Sequence, residues 1–303
     1  MFLQPFSIQR FTPGCVLRGE VIPADATVHA KHLTPEVFGM GLIDSIPDQD
    51  IRAQAVDKGL GIHGIVDEVT DEKGNARVGK YGYKAQFATV MQITASALVH
   101  DIGITTPLEP VEDKPQGLDP PPQCLVAPEP NDPDGANLLS TFHFVMYLAP
   151  NPPGTPNTNG QTQFDNVGCS KCHLSSYTTG PDIIMPVDTK GRIIHSKALS
   201  SQTVNLYSDL LLHDMGSTLS DGLPLTPSAT ATMFRTTPLW GLSTRIANGF
   251  GLLHDGRTAS VDKSLQVDKA IQAHGGEAAQ SLQLYRGLAP LDQQDLIAFV
   301  SSL

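Results

Sequence analysis

The sequence predicts a mainly α-helical chain with long loops and little β structure, and three observations carry that prediction. Apolar residues recur at helical spacing in three stretches: Val90, Ile93, Ala97 and Leu98; then Leu138, Leu139, Phe142, Val145 and Met146; then Leu296, Phe299, Val300 and Leu303. Strand signals, by contrast, are short and weakly alternating. Glycine (27) and proline (24) are abundant in the 303 residues while charged residues make up only 17%, which argues for long ordered connections rather than general disorder. With 40% hydrophobic residues, the chain has enough apolar surface for one large domain or two ordinary ones.

Along the chain, Gly61 to Val69 is a weak strand candidate, and the turn from Asp71 to Asn75 joins a small hairpin. The first helical stretch ends before Asp101 and Gly103. Residues 107–133 hold nine prolines and six acidic side chains against one basic. Proline cannot donate to a helix or a strand ladder, so this segment reads as an extended linker or wrapping loop. The second helical stretch, about three turns long, stops at Pro150. A Pro- and Gly-rich break over Pro150 to Pro156 puts a domain boundary near residue 152, dividing the chain into 1–151 and 152–303. Ile183 to Val187 is the second weak strand candidate. In the last helix Asp292 reads as the N-cap, and its apolar stripe needs a partner, for which Phe164 and Val167 are suited. No internal repeat is visible.

Thirty-one acidic against twenty basic residues give a formal charge of -11, which opposes binding to a phosphate backbone, so no nucleic-acid partner is expected. No apolar run approaches the roughly eighteen residues of a membrane span; the best, Leu138 to Leu148, is broken by Ser140, Thr141 and His143. Met1 to Arg10 carries no basic start followed by an apolar stretch, so no export signal is recognised in it. Four cysteines, Cys15, Cys124, Cys169 and Cys172, are too few to build a disulfide scaffold.

Their spacing is more informative. Cys169-Ser170-Lys171-Cys172-His173 is a C-x-x-C-H sequence, the attachment signature of c-type haem. On one helical turn the two thiols face the same side and can add to the two vinyl groups of one porphyrin, with the His173 imidazole below the ring as an iron ligand. A zinc site would need two further ligands, and no second C-x-x-C or H-x-x-x-H supplies them. A thioredoxin-like pair would need a strand before the motif, whereas Asn159 to Val167 is polar and Gly-bearing.

The sequence resembles the bacterial di-haem cytochrome c oxidoreductases, described as putative peroxidases or thiol oxidoreductases and more distantly related to di-haem cytochrome c peroxidases. The resemblance spans most of the chain. It rests on Phe38 to Ile43 with Ile46 and Pro47, Gly79 to Gln86, Asp101 to Thr105, Gly168 to His173, Tyr207 to Gly216, Arg235 to Gly241, Leu253 to Arg257 and His274 to Ala278. It implies two cytochrome c-like, largely helical domains, export to the periplasm and two covalent haems; the partner expected of the chain is a small redox protein or an electron-transfer chain component. The family's earlier C-x-x-C-H, ahead of the block at Phe38, has no counterpart here, because Cys15 has no cysteine three residues away. The expectation is therefore an N-terminally truncated chain: 1–151 is a cytochrome c-like region lacking its haem motif, and 152–303 a cytochrome c domain with one haem c. The spacing between Arg257 and Ala270 also looks longer than the family's.

The sixth iron position is assigned to Met215, which lies 42 residues after His173 and precedes Gly216 in a tight turn; Met185, Met233, His213 and His274 are further candidates for it. Leu253 stands where cytochrome c peroxidase relatives place a ligand, and leucine cannot serve. Arg235, Arg257 and Trp240 are candidates for hydrogen bonds to haem propionates, set against a solvated arginine and a core tryptophan. His254 and Asp255 are either a proton-relay pair for peroxide chemistry or a structural turn. Tyr81 and Tyr83 are either electron relays or packing groups. Cys15 and Cys124 are either a disulfide or two free thiols. The functional expectation is a haem protein that passes single electrons. Its rivals are a mono-haem carrier without enzymatic activity and a zinc or disulfide structural domain.

Overall fold

The computed structural model describes residues 14–16, 18–119, 121–124, 130–155 and 157–303. The stretch Met1 to Arg10 and, in the proline-rich loop, Pro120 and residues 125–129 lie outside the described residues. Two short helices, α1 (Met40–Asp44) and α2 (Asp48–Arg52), precede an antiparallel hairpin of β1 (Glu68–Thr70) and β2 (Ala76–Val78). In its turn the Asp71 carboxylate accepts from the Lys73 and Asn75 amides at 2.9 and 2.8 Å, the local bonding that suits aspartate to turns. Helix α3 (Val90–Ile102) starts at Thr89, whose hydroxyl accepts from the Gln92 amide, and stops at Gly103 in the left-handed conformation, just past Asp101. Helix α4 (Ala136–Tyr147) begins beside Asp132, whose carboxylate takes the otherwise orphaned Asn137 and Leu138 amides at 3.1 and 2.9 Å. The two helices meet through Ala95, Leu98 and Leu138.

The second half opens with α5 (Thr158–Asn166), capped by Asn157. Strands β3 (Tyr177–Thr178), β4 (Ile184–Pro186), β5 (Ile193–His195), β6 (Thr203–Val204), β7 (Leu212–Asp214) and β8 (Met233–Arg235) then pair antiparallel as β3 with β6, β4 with β5, and β7 with β8. Four helices close the chain: α6 (Leu242–Ala247), α7 (Lys263–Gln272), α8 (Ala279–Arg286) and α9 (Pro290–Ser302). Helix α9 begins two residues before Asp292. Proline at its first position pre-sets the backbone, and Asp292 sits in the first turn instead of capping it.

The stripe of α9 finds the partner anticipated for it. Phe164 of α5 meets Phe299 edge to face at 5.4 Å, and Val167, Leu296 and Val300 share the same core. A Cβ added at Gly160 would lie 2.0 Å from the Asp295 carbonyl oxygen, so the helices touch backbone to backbone there. This core, which also holds Ile246, Leu252, Val267 and Tyr285, stands beside a second built on Met40, Ile43, Ile51, Val78, Tyr81, Phe142 and Met146. Cys15 and Cys124 form a disulfide across 109 residues, joining the N-terminal arm to the proline-rich loop.

The mainly α class expected from periodicity does not hold. Only 34% of the chain is helical and 9% is strand, so the protein is not plainly mainly α and not clearly of another class. The reason lies between Cys172 and Gly241. This long segment is loops and ladders of two or three residues, held by individual backbone bonds and too short to imprint an alternating pattern.

Candidate functional site

The C-x-x-C-H sequence sits where α5 ends. Gly168 takes a left-handed conformation (φ 87°), and Cys169–Lys171 form a single 3-10 turn continued by the bond from the His173 amide to the Cys169 carbonyl at 2.9 Å. A side chain at Gly168 would be strained in that conformation, and its Cβ would fall 2.6 Å from Leu60 Cδ1. Cys169 and Cys172 are unbridged thiols on the wall of one cavity of about 280 Å3. Burial, with Cys172 close by, pushes the Cys169 thiol up to about 12, so it is no activated redox nucleophile.

The chain at 207–209 runs back along the motif and fixes it. The Ser208 and Asp209 amides donate to the Leu174 and Cys172 carbonyls at 2.9 and 2.8 Å. Tyr207 adopts a positive φ of 53°, unusual for a tyrosine, and its carbonyl faces His173. His173 donates from Nδ1 to that carbonyl at 2.9 Å, which defines the neutral tautomer and leaves the Nε2 lone pair available. Burial pushes His173 down to about 4 against the pull of this bond.

Behind Cys172 lies a charge cluster. His213 is 1% exposed and bonded on both nitrogens, Nε2 to Asp209 at 2.9 Å and Nδ1 to Glu277 at 2.8 Å. Its Nδ1 also stands 3.7 Å from Cys172 Sγ. Two carboxylate acceptors require a proton on each nitrogen. Burial opposes that charge, but Asp209, Cys172 and Glu277 together lift His213 to about 11. Lys58 completes the cluster at 2.7 Å from Asp209 and also donates to the Lys171 carbonyl at 2.8 Å. Glu277 accepts further from the His63 and Gly64 amides; burial resists its ionisation, yet these partners hold it down to about 2. The four charges cancel.

Met215 and His274 line the same cavity. The backbone at Met215 and Gly216 is pressed against Gly275 and Gly276, since a Cβ on Gly275 would meet the Met215 carbonyl oxygen at 3.1 Å and one on Gly216 the Gly276 nitrogen at 2.9 Å. His274 donates from Nδ1 to the Ala270 carbonyl at 2.8 Å, and its Nε2 has no hydrogen-bond partner among the described residues. Of the other candidates for the sixth position, only His213 lines the cavity. Met185 and Met233 belong to core clusters outside the cavity wall, and both nitrogens of His213 are taken.

Trp240 lines the cavity, its ring lying over Gly39. Arg257 does not line it; it is bonded to Asp255 at 2.6 Å and to the Thr218 carbonyl at 2.8 Å. Asp255 thus faces Arg257, and its neighbour His254 stacks on Phe234 at 4.6 Å inside the cavity wall. Tyr81 donates to the Met40 carbonyl at 2.8 Å, while Tyr83 sits near His254, ring centroids 6.3 Å apart. Among the described residues no group of three or more His, Cys, Asp or Glu is disposed to hold a metal ion, so the paired cysteines gain no partners for a four-ligand protein site.

Sequence reasoning did not find the roles of Asp209, Glu277 and the Tyr207 carbonyl. The i,i+4 spacing of Asp209 and His213 was the available signal; Glu277 lies 64 residues from His213, and no local pattern links them. Residues 154–303 match the family described as di-haem oxidoreductase, putative peroxidase. No curated protein and no solved structure matches the chain.

Proposed function

The chain belongs, through residues 154–303, to the di-haem oxidoreductase family, and from that membership we propose that it carries one haem c, thioether-linked to Cys169 and Cys172, and passes single electrons through it. The observation that carries this reading is the His173 Nδ1 bond to the Tyr207 carbonyl, which frees Nε2 beside two unbridged thiols. The cavity fits such a group. Phe164, Tyr285, Leu296 and Val300 give it apolar walls, and the buried Ser281 hydroxyl in its lining has no partner, as a polar atom waiting for a bound group would.

When bound, the haem supplies a one-electron iron centre. His173 is the proposed fifth ligand, its orientation set by Tyr207. Met215 is the proposed sixth; a thioether there would raise the reduction potential and close the iron to small substrates. The free Nε2 of His274 favours a second reading in which imidazole takes that position. Trp240 is proposed to donate its indole N–H at the cavity edge. The neutral cluster of Lys58, Asp209, His213 and Glu277 holds the motif against residues 58–64 and excludes water behind Cys172. The family name speaks of two haems, and this sequence contains one C-x-x-C-H.

The proposed split near residue 152 is supported by a family match that starts at residue 154. A periplasmic location is supported by the attachment motif and by the Cys15–Cys124 disulfide, which suits an oxidising compartment. No helix among the described residues is long and apolar enough to cross a membrane. The proposed partner is a small redox protein.

Stopped-flow mixing of the matured protein with a reduced small cytochrome c tests the assignment. Second-order haem reduction, lost in the double variant Cys169→Ala, Cys172→Ala, is the expected result; a matured protein inert to the cytochrome and to chemical reductants would refute it.

A further inference from the structure

Three cationic side chains of lysine or arginine are buried among the described residues, and two of them have carboxylates. Lys80 lies 3.0 Å from Asp48, and Lys84 lies 3.1 Å from Asp221. Arg235, 7% exposed, has none within ion-pair distance among the described residues. Its Nε donates to the Gly82 carbonyl at 2.9 Å and its Nη1 to the Thr236 carbonyl at 3.2 Å, while Nη2 has no partner among the described residues. Asp209 is the one carboxylate that acts on it electrostatically, and Asp209 is already neutralised by Lys58 and His213. A buried guanidinium without a counter-charge is expensive, and proteins rarely leave one so.

Arg235 lines the cavity, and so do two further polar side chains that have no hydrogen bond among the described residues. His254 is 7% exposed, with neither ring nitrogen bonded; it stacks on Phe234, the residue before Arg235. Tyr83, whose backbone carbonyl accepts from the Arg235 amide at 2.8 Å, lines the cavity next to His254, ring centroids 6.3 Å apart. The Nη2 of one guanidinium, one phenol and one imidazole therefore line the same cavity with no hydrogen-bond partner among the described residues.

We propose that Arg235, assisted by Tyr83 and His254, forms a carboxylate-binding subsite at this end of the cavity. A carboxylate supplies the missing charge and two acceptors that match a guanidinium in bidentate geometry. It could belong to a propionate of the haem, in which case the subsite rests on the cofactor proposed above, or to a free small carboxylate entering the chamber.

The test uses haem-loaded protein matured in an export-competent host, as the unaltered chain, Arg235→Met and Arg235→Lys, with acetate as the probe. If the partner is a propionate, acetate leaves the reduction potential and Soret band of the unaltered protein unchanged. Arg235→Met then lowers the potential, because an uncompensated carboxylate favours ferric iron, and Arg235→Lys lowers it less. If the partner is a free carboxylate, acetate raises the melting temperature of the unaltered protein saturably, and Arg235→Met weakens that binding at least tenfold. Unchanged potentials in both variants, with no acetate effect on the unaltered chain, overturn the subsite. Should Arg235→Met fail to mature, Arg235→Lys and the acetate titration decide in the same way. Haem that dissociates from the unaltered protein on denaturation would count against the cofactor reading instead, and the acetate arm would then judge the subsite alone.

Discussion

Glu277 and His213, 64 positions apart, are joined by a 2.8 Å contact that locks the turn after α7 onto the strand β7 behind Cys172. Because His213 is buried and gripped on its far side by Asp209, removing the Glu277 charge leaves an imidazolium short of one counter-ion. Glu277→Gln is expected to destabilise the fold by about 3 kcal/mol, the usual penalty for breaking a buried pair from one side. Urea unfolding of the variant checks this; a change near zero would show that the contact contributes little.

The same carboxylate predicts an acid limb of stability. Glu277 is held down to about 2 in the folded state against an ordinary value of 4.5, so the unfolded chain takes up its proton first. Its contribution is complete above about pH 4.5 and is lost as pH falls toward 2, since the unfolded state binds more protons in that window. His173, held down to about 4 from 6.5, adds a loss in the same direction as pH falls from 6.5 to 4 in protein without haem. Below about pH 6, where the contribution of His213, lifted to about 11, is already complete, unfolding free energy should therefore fall as pH is lowered to 3, and the limb below pH 4.5 should flatten in Glu277→Gln.

Gly168→Ala tests the turn that presents the motif. An alanine must hold a left-handed backbone and push Leu60 aside, which together should cost about 1–3 kcal/mol and lower the yield of haem-loaded protein. Circular dichroism melting and haem content check both. Gly191→Ala, also at positive φ but with nothing within 4 Å of its added Cβ, separates backbone strain from the clash.

Met215→Ala and His274→Ala distinguish the two candidates for the sixth position. With Met215 as ligand, the oxidised protein shows a near-infrared sulfur-to-iron charge-transfer band that Met215→Ala abolishes and His274→Ala leaves in place, and the potential falls only in the former. Absence of the band from the unaltered protein, with a spectral change in His274→Ala alone, assigns the position to His274.

Sequence periodicity locates α4 and α9 because each buries one continuous stripe; it also locates α3, although Ala97 of the expected stripe is exposed and Thr94, Ala95, Ser96 and Val99 are buried instead, and the Asp71 turn marks the β1–β2 hairpin because its bonding is local. Helix α5 is hidden, since only Gly160 and Phe164 of its polar segment are buried, and Asn159 and Gln163 meet α9 through hydrogen bonds to Asp292 and Asp295. Of the ladders after Cys172 only β4, inside the candidate Ile183 to Val187, is marked in the sequence, because strands of two or three residues owe their pairing to partners that no local pattern specifies. The site divides in the same way. Cys169, Cys172 and His173 lie within five residues and are legible, and Arg235 is named by the sequence as a propionate candidate, whereas the His213 cluster and the lack of a counter-charge at Arg235 are properties of long-range burial that composition cannot express.

The most direct test of the account is the intact mass, under denaturing conditions, of protein matured in an export-competent host. The account predicts a polypeptide heavier by one haem, returning to the bare polypeptide mass in Cys169→Ala, Cys172→Ala. An unaltered protein that runs at its bare mass, with any haem released, would contradict it.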